Sequence, residues 1–264
     1  MIRSTTFNLI FYTFTFVVAL TCWVLAHVST RGAMWRVLNV WGRGTVWLVR
    51  WVLGSRIEIR GREHIDLTRP QVFVSKHQSE LDVIMLGALM RDISAVAMKE
   101  LTRTPFFGTI LTKLDVVLIA VEQGPQGRTQ QAVEGGRRMK AEGRSIIIYP
   151  EGELMKLGAK ERYRRGAAHI YEAMGVEAVP VAASLGVIWP QRRWRKYSGV
   201  TGAIEFMEPI PPGMPPDEFL AEIERRIETR TMELIEEHAS GERLEAARDR
   251  YRRGADNERL LEIV

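Results

Sequence analysis

Short apolar segments alternate with longer amphipathic segments between residues 56 and 238, and this alternation limits the possible fold more than any other feature. The short segments predict β-strands, and the longer ones predict helices. Such a chain forms an α/β fold, here a mixed, largely parallel sheet flanked by helices. The predicted strands are RIEIR (56–60), QVFVS (71–75), SAVAM (94–98), VVLIAV (116–121), SIIIYP (145–150), AVPVAAS (178–184) and GAIEFM (202–207). The predicted helices cover 80–91, 105–113, 127–142, 164–174 and 216–238.

The first residues predict a membrane anchor that precedes this domain. Residues 4–28 contain no Lys, Arg, Asp or Glu, and residues 7–26 form an apolar stretch of about the 20 residues that a membrane-crossing helix requires. A cleaved signal peptide is the alternative. It is disfavoured because only Arg3 precedes the apolar stretch and because VLAHVS offers no small-x-small cleavage site.

A second N-terminal helix is predicted to lie in the plane of the membrane interface or to form an anchor hairpin with the first helix. Arg36, Arg43 and Arg50 recur every seven residues and would therefore form one basic stripe along a helix. Tryptophans are interleaved with Val and Leu in the same segment, which suits the polar boundary of a membrane. An ordinary amphipathic helix that caps the domain is the alternative. The excess of arginine after the first helix predicts that the remaining chain faces the cytoplasm.

Composition limits the partners and excludes several kinds of site. Cys22 is the single cysteine, so neither an intrachain disulfide nor a cysteine-rich metal site can form. The histidines include no pair at metal-ligand spacing, and we expect no metal. A net charge of +5 indicates an anionic partner, either nucleic acid or an anionic membrane surface with phosphorylated substrates. Because the sequence carries a membrane anchor and no nucleic-acid-binding signature, we expect membrane lipids as partners and no nucleic acid.

The hexapeptide HQSELD (77–82) is the strongest candidate for chemistry. The imidazole of His77 is suited to accept a proton near neutral pH, and a carboxylate at Asp82 could fix its tautomer and stabilise the imidazolium. A continuous helix would turn the two side chains roughly 140° apart, so His77 must precede a helix and Asp82 must lie in its first turn. Ser79 and Asp82 form a capping-box pattern at such a start, with backbone N–H groups free to bind an anion. A surface or capping histidine is the alternative.

Four segments in consistent order resemble blocks of the glycerolipid acyltransferase family, specifically of the bacterial 1-acyl-glycerol-3-phosphate acyltransferases. They are KHQSELD (76–82), KELTRTPFFG (99–108), YPEGE (149–153) and VPVAASLGVIWP (179–190). With this resemblance we expect a membrane anchor over 1–54, an acyltransferase domain over 55–240 and a charged, solvated helical tail over 241–264. The enzyme would belong to the bacterial inner (cytoplasmic) membrane, with its catalytic domain facing the cytoplasm.

The resemblance implies roles for individual residues. His77 would be the general base that deprotonates the free hydroxyl of a 1-acyl-glycerol-3-phosphate acceptor, and Asp82 would orient it. The hydroxyl would attack the thioester of acyl-CoA or acyl-carrier protein, and phosphatidate would form. No cofactor is implied beyond this co-substrate. Glu151 would contact the glycerol of the acceptor or order the site, and Gly152 would let the backbone approach closely.

Phosphate recognition is where the chain departs from the family pattern. Lys99 and Arg103 in the second block are the leading phosphate-binding candidates. The Thr-Arg pair usual after Glu-Gly is replaced by Glu153-Leu154, and the block at 118–124 is altered to LIAVEQG. Cations of the following segment could replace the missing charge, namely Lys156, Arg162, Arg164 or Arg165. Another lysolipid, such as a lyso-ornithine lipid, is therefore an alternative acceptor. A non-catalytic lipid-binding relative and a thioesterase that uses water as nucleophile are the alternatives in other functional classes.

Overall fold

A seven-stranded β-sheet with helices on both faces organises the protein, as its computed structural model shows for residues 1–254. The strands are β1 (Arg56–Arg60), β2 (Val72–Ser75), β3 (Ser94–Met98), β4 (Val117–Ile119), β5 (Ile146–Ile148), β6 (Ala178–Ala183) and β7 (Thr201–Phe206). The α-helices are α1 (Ile2–Val28), α2 (Arg31–Leu48), α3 (Glu80–Leu89), α4 (Phe107–Leu114), α5 (Gly124–Ala141), α6 (Gly166–Met174), α7 (Pro216–His238) and α8 (Gly241–Arg253). The predicted strands and the predicted helices of the domain are confirmed, with ends that differ by no more than three residues.

The sheet is mixed and largely parallel, as predicted. Its strand order is β1-β7-β6-β2-β5-β3-β4, and all neighbours pair in parallel except β6 and β7, which pair antiparallel. Strands β2 to β6 therefore run in the same direction. Their carboxyl ends meet at one edge of the sheet, which is the edge where ligands of α/β proteins bind.

Different helices cover the two faces of the sheet because side chains alternate along each strand. On β2, Val72 and Val74 pack with residues of α5, α6 and α7, whereas Phe73 packs with residues of α1 and α3 on the opposite face. All three side chains are buried. This burial on both faces explains why the central strands have nearly continuous apolar sequences.

Helix α1 lies along the domain and buries one side against it. The buried side extends from Ser4 to Cys22, about 27 Å along the helix. Phe7 and Phe11 pack edge-on against Trp189, with ring centroids 5.5 and 4.9 Å apart. By length and composition, α1 is the one helix within residues 1–254 that could cross a membrane. Its other side exposes apolar side chains, which include Leu9, Phe16, Val17, Leu20, Val24 and Val28.

Helix α2 packs between α1 and α3, and two glycines make this close packing possible. A methyl group on Gly44 would lie 2.7 Å from the ring of Phe14 in α1. A methyl group on Gly42 would lie 2.8 Å from the Cβ atom of Ala88 in α3. Larger residues at either position would push the helices apart. The solvent-facing side of α2 and of the turn after it carries the predicted basic stripe, Arg36, Arg43 and Arg50.

Helix α8 packs against the domain and is not a fully solvated tail. Ala247 is completely buried, and a methyl group on Gly158 would lie 2.2 Å from its carbonyl oxygen. The guanidinium group of Arg250 donates a hydrogen bond to the carbonyl oxygen of Leu157 at 2.8 Å. A charged side chain here bonds to the backbone of a neighbouring loop instead of to water alone. The rest of the predicted tail, 255–264, lies outside the described residues.

Candidate active site

The candidate residues gather at the edge where the parallel strands end. His77 follows β2, Glu151 and Gly152 follow β5, and Lys99 and Arg103 bound the helical turn after β3. Strands β2, β5 and β3 are consecutive neighbours in the sheet. Sequence blocks that are far apart along the chain are thereby brought side by side.

His77 and Asp82 meet in the geometry that their spacing required. Helix α3 begins at Glu80 with Ser79 as its N-cap, so His77 precedes the helix and Asp82 lies in its first turn. The Nδ1 atom of His77 lies 3.4 Å from the Oδ2 atom of Asp82. The side chain of Asp82 is fully buried, and that of His77 is 15% exposed. The pair is therefore neither turned apart nor sealed from solvent.

The predicted capping box is present, but its backbone amides are not free. The Oδ2 atom of Asp82 accepts hydrogen bonds from the N–H groups of Gln78 and Ser79, at 2.6 and 2.8 Å. The hydroxyl of Ser79 accepts another from the N–H group of Leu81. The side chains of Asp82 and Ser79 therefore occupy three of the amides near the start of α3, and anion binding by the remaining amides of this turn stays a prediction. The same hydrogen bonds fix Asp82 beside the imidazole.

An aromatic ring holds the imidazole of His77 from a further direction. The ring of Tyr149 stacks on it, with 4.1 Å between centroids and an interplanar angle of 27°. Burial raises the pKa of the Tyr149 hydroxyl well above its ordinary value, and the charge of Asp82 adds to this shift. Tyr149 is therefore a neutral packing partner for the histidine. With Nδ1 facing Asp82, Nε2 is the ring nitrogen that can accept a proton from a ligand.

Glu151 is enclosed in a buried charge cluster. Its Oε1 atom lies 2.5 Å from the ammonium nitrogen of Lys76, and its Oε2 atom accepts a hydrogen bond from the backbone N–H of His77 at 2.9 Å. The same ammonium group donates to Oε1 of Glu228 in α7 at 2.8 Å and to the carbonyl oxygen of Ala159 at 2.9 Å. Lys76 and Glu151 are fully buried. This burial fits the ordering role implied for Glu151, and its contact with glycerol stays a prediction.

Burial shifts the ionisation of this cluster, which holds one cation and two carboxylates away from water. Burial and then the charge of Glu228 raise the pKa of Glu151 to about 8, despite the opposing effect of Lys76. Burial alone would lower the pKa of Lys76, but the two carboxylates raise it above its ordinary value. At neutral pH Glu151 therefore keeps its proton and Lys76 keeps its positive charge.

Gly152 supports a cation at the turn after Glu151. Its φ angle of +78° lies in the left-handed region that favours glycine. A methyl group on Gly152 would lie 2.3 Å from the guanidinium carbon of Arg164, so the guanidinium group rests directly on this turn. Arg164 is exposed to solvent. The structure thus brings an arginine next to the position where Glu153-Leu154 replace the Thr-Arg pair of the family pattern.

The other predicted phosphate-binding residues are also exposed. Arg165 is adjacent to Arg164 in sequence but pairs with Asp217 at the start of α7, at 2.5 Å. Lys99 and Arg103 lie on the turn after β3 and face solvent. Arg164 therefore lies against the turn at Gly152, whereas Arg165 is engaged by another element.

Exposed apolar side chains also lie on the elements that meet this edge, and sequence patterns did not identify them; together they are here called the apolar edge surface. Its members are 40–48% exposed and lie on α3, at the ends of β3 and β4, or at the start of α4: Val83, Met98, Phe106, Phe107 and Val121. Large apolar side chains that remain exposed near a ligand-binding edge indicate an apolar ligand. The adjacent Phe106 and Phe107 in the block KELTRTPFFG could have indicated these exposed side chains, because two neighbouring phenylalanines in a turn are difficult to bury together.

The residues alone describe a general-base site. His77, oriented by Asp82, could accept a proton from a hydroxyl group or from water. The exposed cations suit an anionic ligand, and the apolar edge surface suits a hydrocarbon chain. Within residues 1–254, no group of three or more His, Cys, Asp or Glu side chains could hold a metal ion.

Comparison with known proteins decides the family. A profile of the family described as Acyltransferase matches residues 56–184. A 1-acyl-sn-glycerol-3-phosphate acyltransferase of Pseudomonas aeruginosa is 33% identical over 199 residues, which cover 75% of this chain and 77% of that protein. The chain belongs to the Acyltransferase family. The resemblance predicted from the four sequence blocks is therefore confirmed.

More distant proteins support the same Acyltransferase assignment. The 1-acyl-sn-glycerol-3-phosphate acyltransferase alpha of Homo sapiens is 26% identical over 183 residues, which cover 67% of this chain and 63% of that protein. The crystal structure of the 1-acyl-sn-glycerophosphate (LPA) acyltransferase PlsC from Thermotoga maritima matches with a TM-score of 0.72 at 20% identity. This match covers 88% of this chain and 96% of that chain, and it shows a shared fold.

Proposed function

We propose that this protein is a 1-acyl-sn-glycerol-3-phosphate O-acyltransferase. It transfers a fatty acyl group from a thioester, acyl-CoA or acyl-carrier protein, to the free hydroxyl of 1-acyl-glycerol-3-phosphate and so forms phosphatidate. The observation that carries the proposal is the contact between His77 and the buried Asp82 at the ligand-binding edge of the sheet. The 33% identity to a bacterial enzyme of that name supports it.

His77 is the general base of the proposed reaction. Its Nε2 atom takes the proton of the lysolipid hydroxyl while the hydroxyl oxygen attacks the thioester carbonyl carbon. Asp82 stabilises the resulting imidazolium. When the tetrahedral intermediate collapses, the carbon–sulfur bond breaks and the thiol leaves with the proton from Nε2. General base catalysis contributes about 10²–10⁴-fold, and holding both substrates in line supplies much of the rest.

The exposed cations of the site recognise the acceptor phosphate in this proposal. Arg164 supplies the charge that the family pattern carries in its Thr-Arg pair, while Lys99 and Arg103 approach from the turn after β3. Arg165 contributes less because Asp217 engages it. The apolar edge surface is the candidate for contact with the acyl chains.

The proposed enzyme works at the cytoplasmic face of the bacterial inner membrane, among membrane lipids. Helix α1 supports this location because it packs on the domain with one side and exposes apolar side chains on the other. The segment after it exposes both arginines and tryptophans, a combination suited to phospholipid headgroups and the membrane boundary. The positive net charge supports attraction to an anionic lipid surface, and nucleic acid has no part in the proposal.

A direct transfer assay tests the proposal. Full-length protein in lipid vesicles is incubated with 1-acyl-glycerol-3-phosphate and a radiolabelled acyl thioester, and we expect labelled phosphatidate. We expect His77→Ala to lower the rate by at least about 10²-fold while the circular dichroism spectrum is unchanged. His169→Ala, which alters a histidine of α6 outside the site, is the matched control. Retained activity in His77→Ala would refute the assigned base, and free fatty acid formed equally with and without lysolipid would indicate a thioesterase.

A lyso-aminolipid, such as a lyso-ornithine lipid, is the second candidate acceptor. The exposed Glu153 favours it, because a carboxylate attracts an ammonium group and repels phosphate. Offering both lysolipids to the same preparation separates the two candidates by product. Rescue of a conditional strain that lacks the second acylation step of phosphatidate synthesis would support 1-acyl-glycerol-3-phosphate. Lysolipid binding without turnover on any acceptor would instead indicate a non-catalytic relative.

A further inference from the structure

Lys76 connects the candidate base to a distant helix through buried contacts. It is the residue directly before His77, and its ammonium group bonds to three parts of the chain. These are Glu151 after β5, the carbonyl of Ala159 in the following loop, and Glu228 in α7. The hydroxyl of Tyr163 donates a further hydrogen bond to Glu228 at 3.0 Å. Every member of this set is nearly or completely buried.

The contacts end on the backbone of His77. Its N–H group donates to Oε2 of Glu151 at 2.9 Å, and its carbonyl oxygen accepts from the N–H group of Met155 at 2.7 Å. Both backbone polar groups of the histidine are therefore bonded to the segment that follows β5. A shift of that segment would move the imidazole relative to Asp82, where the Nδ1 to Oδ2 distance is already 3.4 Å.

Stability alone is a weak reason for such a cluster. Charges removed from water are costly, and well-packed apolar side chains of similar volume are often equally or more stabilising. Charged groups instead position their partners, because each hydrogen bond fixes the place of its acceptor atom. Glu228 lies beyond residues 56–184, which the Acyltransferase profile matches, so α7 adds a contact from outside the part of the chain that carries the family pattern.

We propose that Lys76 and Glu228 are positioning residues for His77. Glu228 neutralises and fixes the ammonium group of Lys76, Lys76 fixes Glu151, and Glu151 holds the backbone of the histidine. The imidazole thereby keeps its contact with Asp82 and faces the acceptor hydroxyl. This inference rests on the proposed function, in which His77 is the base, and neither positioning residue touches the substrate.

Glu228→Gln tests the inference in the full-length enzyme. The substitution keeps an oxygen atom for Lys76 and Tyr163 but removes the charge. We expect kcat to fall by about tenfold to a hundredfold with little change in KM for either substrate, because the base is displaced while the substrate contacts remain. Glu233→Gln is the matched control, since Glu233 lies on the solvent-facing side of the same helix and pairs with Arg230. It should keep the wild-type kcat.

A second measurement separates positioning from packing. In protein with ¹⁵N-labelled histidine, the ring signals of His77 report its contact with Asp82, and their absence in His77→Ala assigns them. We expect Glu228→Gln to shift these signals at temperatures where its thermal unfolding curve shows that the variant is fully folded. Tyr163→Phe removes one hydrogen bond to Glu228 and keeps the ring in place. It should shift the signals in the same direction by less, and it replaces Glu228→Gln if that variant does not fold.

The outcomes distinguish this inference from the proposed function. Wild-type kcat and wild-type His77 signals in folded Glu228→Gln would overturn it, and so would a loss of activity that equals the loss of folded protein. If the wild-type protein acylates no lysolipid, the proposed function fails. The His77 signals would then still decide whether Glu228 positions the ring.

Discussion

The two sides of the candidate site differ in how they hold charge. On the buried side, the ammonium group of Lys76 lies 2.5 Å from Glu151 and 2.8 Å from Glu228, without access to water. In a low-dielectric interior each charge requires a fixed partner, whereas water and salt screen charges at the surface. The buried side can therefore fix the base, and the exposed side can adapt to the ligand without moving it. The exposed side consists of Lys99, Arg103, Arg164 and Arg165.

Substitution of Lys76 should have the largest effect of the changes that test this difference between the buried and exposed sides. Lys76→Met leaves the buried carboxylate of Glu228 without a counter-ion and removes the hydrogen-bond donor of Glu151, so we expect the free energy of unfolding to fall by about 3–5 kcal/mol and acyl transfer to be lost. Lys99→Met removes a cation of the exposed side and should change the free energy by no more than about 0.5 kcal/mol. Urea unfolding in detergent micelles, followed by tryptophan fluorescence, measures both. Similar losses in the two variants would contradict the distinction.

The buried side should also make stability depend on pH. The pKa of Glu151 is about 8 in the folded protein against an ordinary value of 4.5, so the folded state keeps a proton that the unfolded state releases. This contribution to stability is complete below pH 4.5 and declines as the pH rises toward 8. The decline amounts to a few kcal/mol at most, at about 1.4 kcal/mol for each pKa unit.

Glu228→Gln isolates this pH effect from other titrating groups. The substitution removes the neighbouring charge that helps to raise the pKa of Glu151, so the loss of stability between pH 5 and pH 8 should become smaller. Free energies of unfolding at several pH values, measured for both proteins, give the two slopes. Parallel slopes would mean that Glu228 does not influence the proton held by Glu151.

Much of the fold was predictable because its signals are local. Strand composition and helical spacing identified the elements within a few residues of their ends. The geometry of His77 and Asp82 followed in the same way, since their spacing required a helix start and Ser79 supplies one. The order of strands in the sheet could not be predicted from such local signals. It depends on contacts between remote segments, so the adjacency of His77, Glu151 and Lys99 was not predictable from any one segment.

The buried cluster was missed for a physical reason. Lys76 stands beside the candidate base, but a lysine in a loop is ordinarily solvated. Glu228 lies in a highly charged helix whose other glutamates mostly face water. The helical spacing could have indicated that Glu228 is buried. Glu228 lies three residues before Thr231 and seven before Ile235, and both are on the buried face of α7. A glutamate on that face required a buried cation, and only the folded chain identifies it.

Gly152→Ala should affect both the buried side and the exposed side of the candidate site. Its φ angle of +78° is unfavourable for alanine, and the new Cβ atom would displace the guanidinium group of Arg164. For Gly152→Ala we expect a loss of about 1–3 kcal/mol in the free energy of unfolding and a higher KM for the acceptor. Gly143→Ala is the control for backbone strain, because Gly143 has a φ angle of +67° and open space around it. It should lose stability without changing KM.

Arg164→Gln should have the smallest effect, confined to the exposed side. Because water screens the attraction between an exposed guanidinium group and phosphate, we expect KM for the acceptor to rise about threefold to tenfold, roughly 1 kcal/mol, with kcat unchanged. The rise should shrink at high salt. Arg165→Gln should change KM less, since Asp217 engages Arg165 at 2.5 Å. A larger rise for Arg165→Gln would move phosphate recognition away from Arg164. A fall in kcat for Arg164→Gln would show that the exposed side also positions the base, and the two sides would then act as one unit.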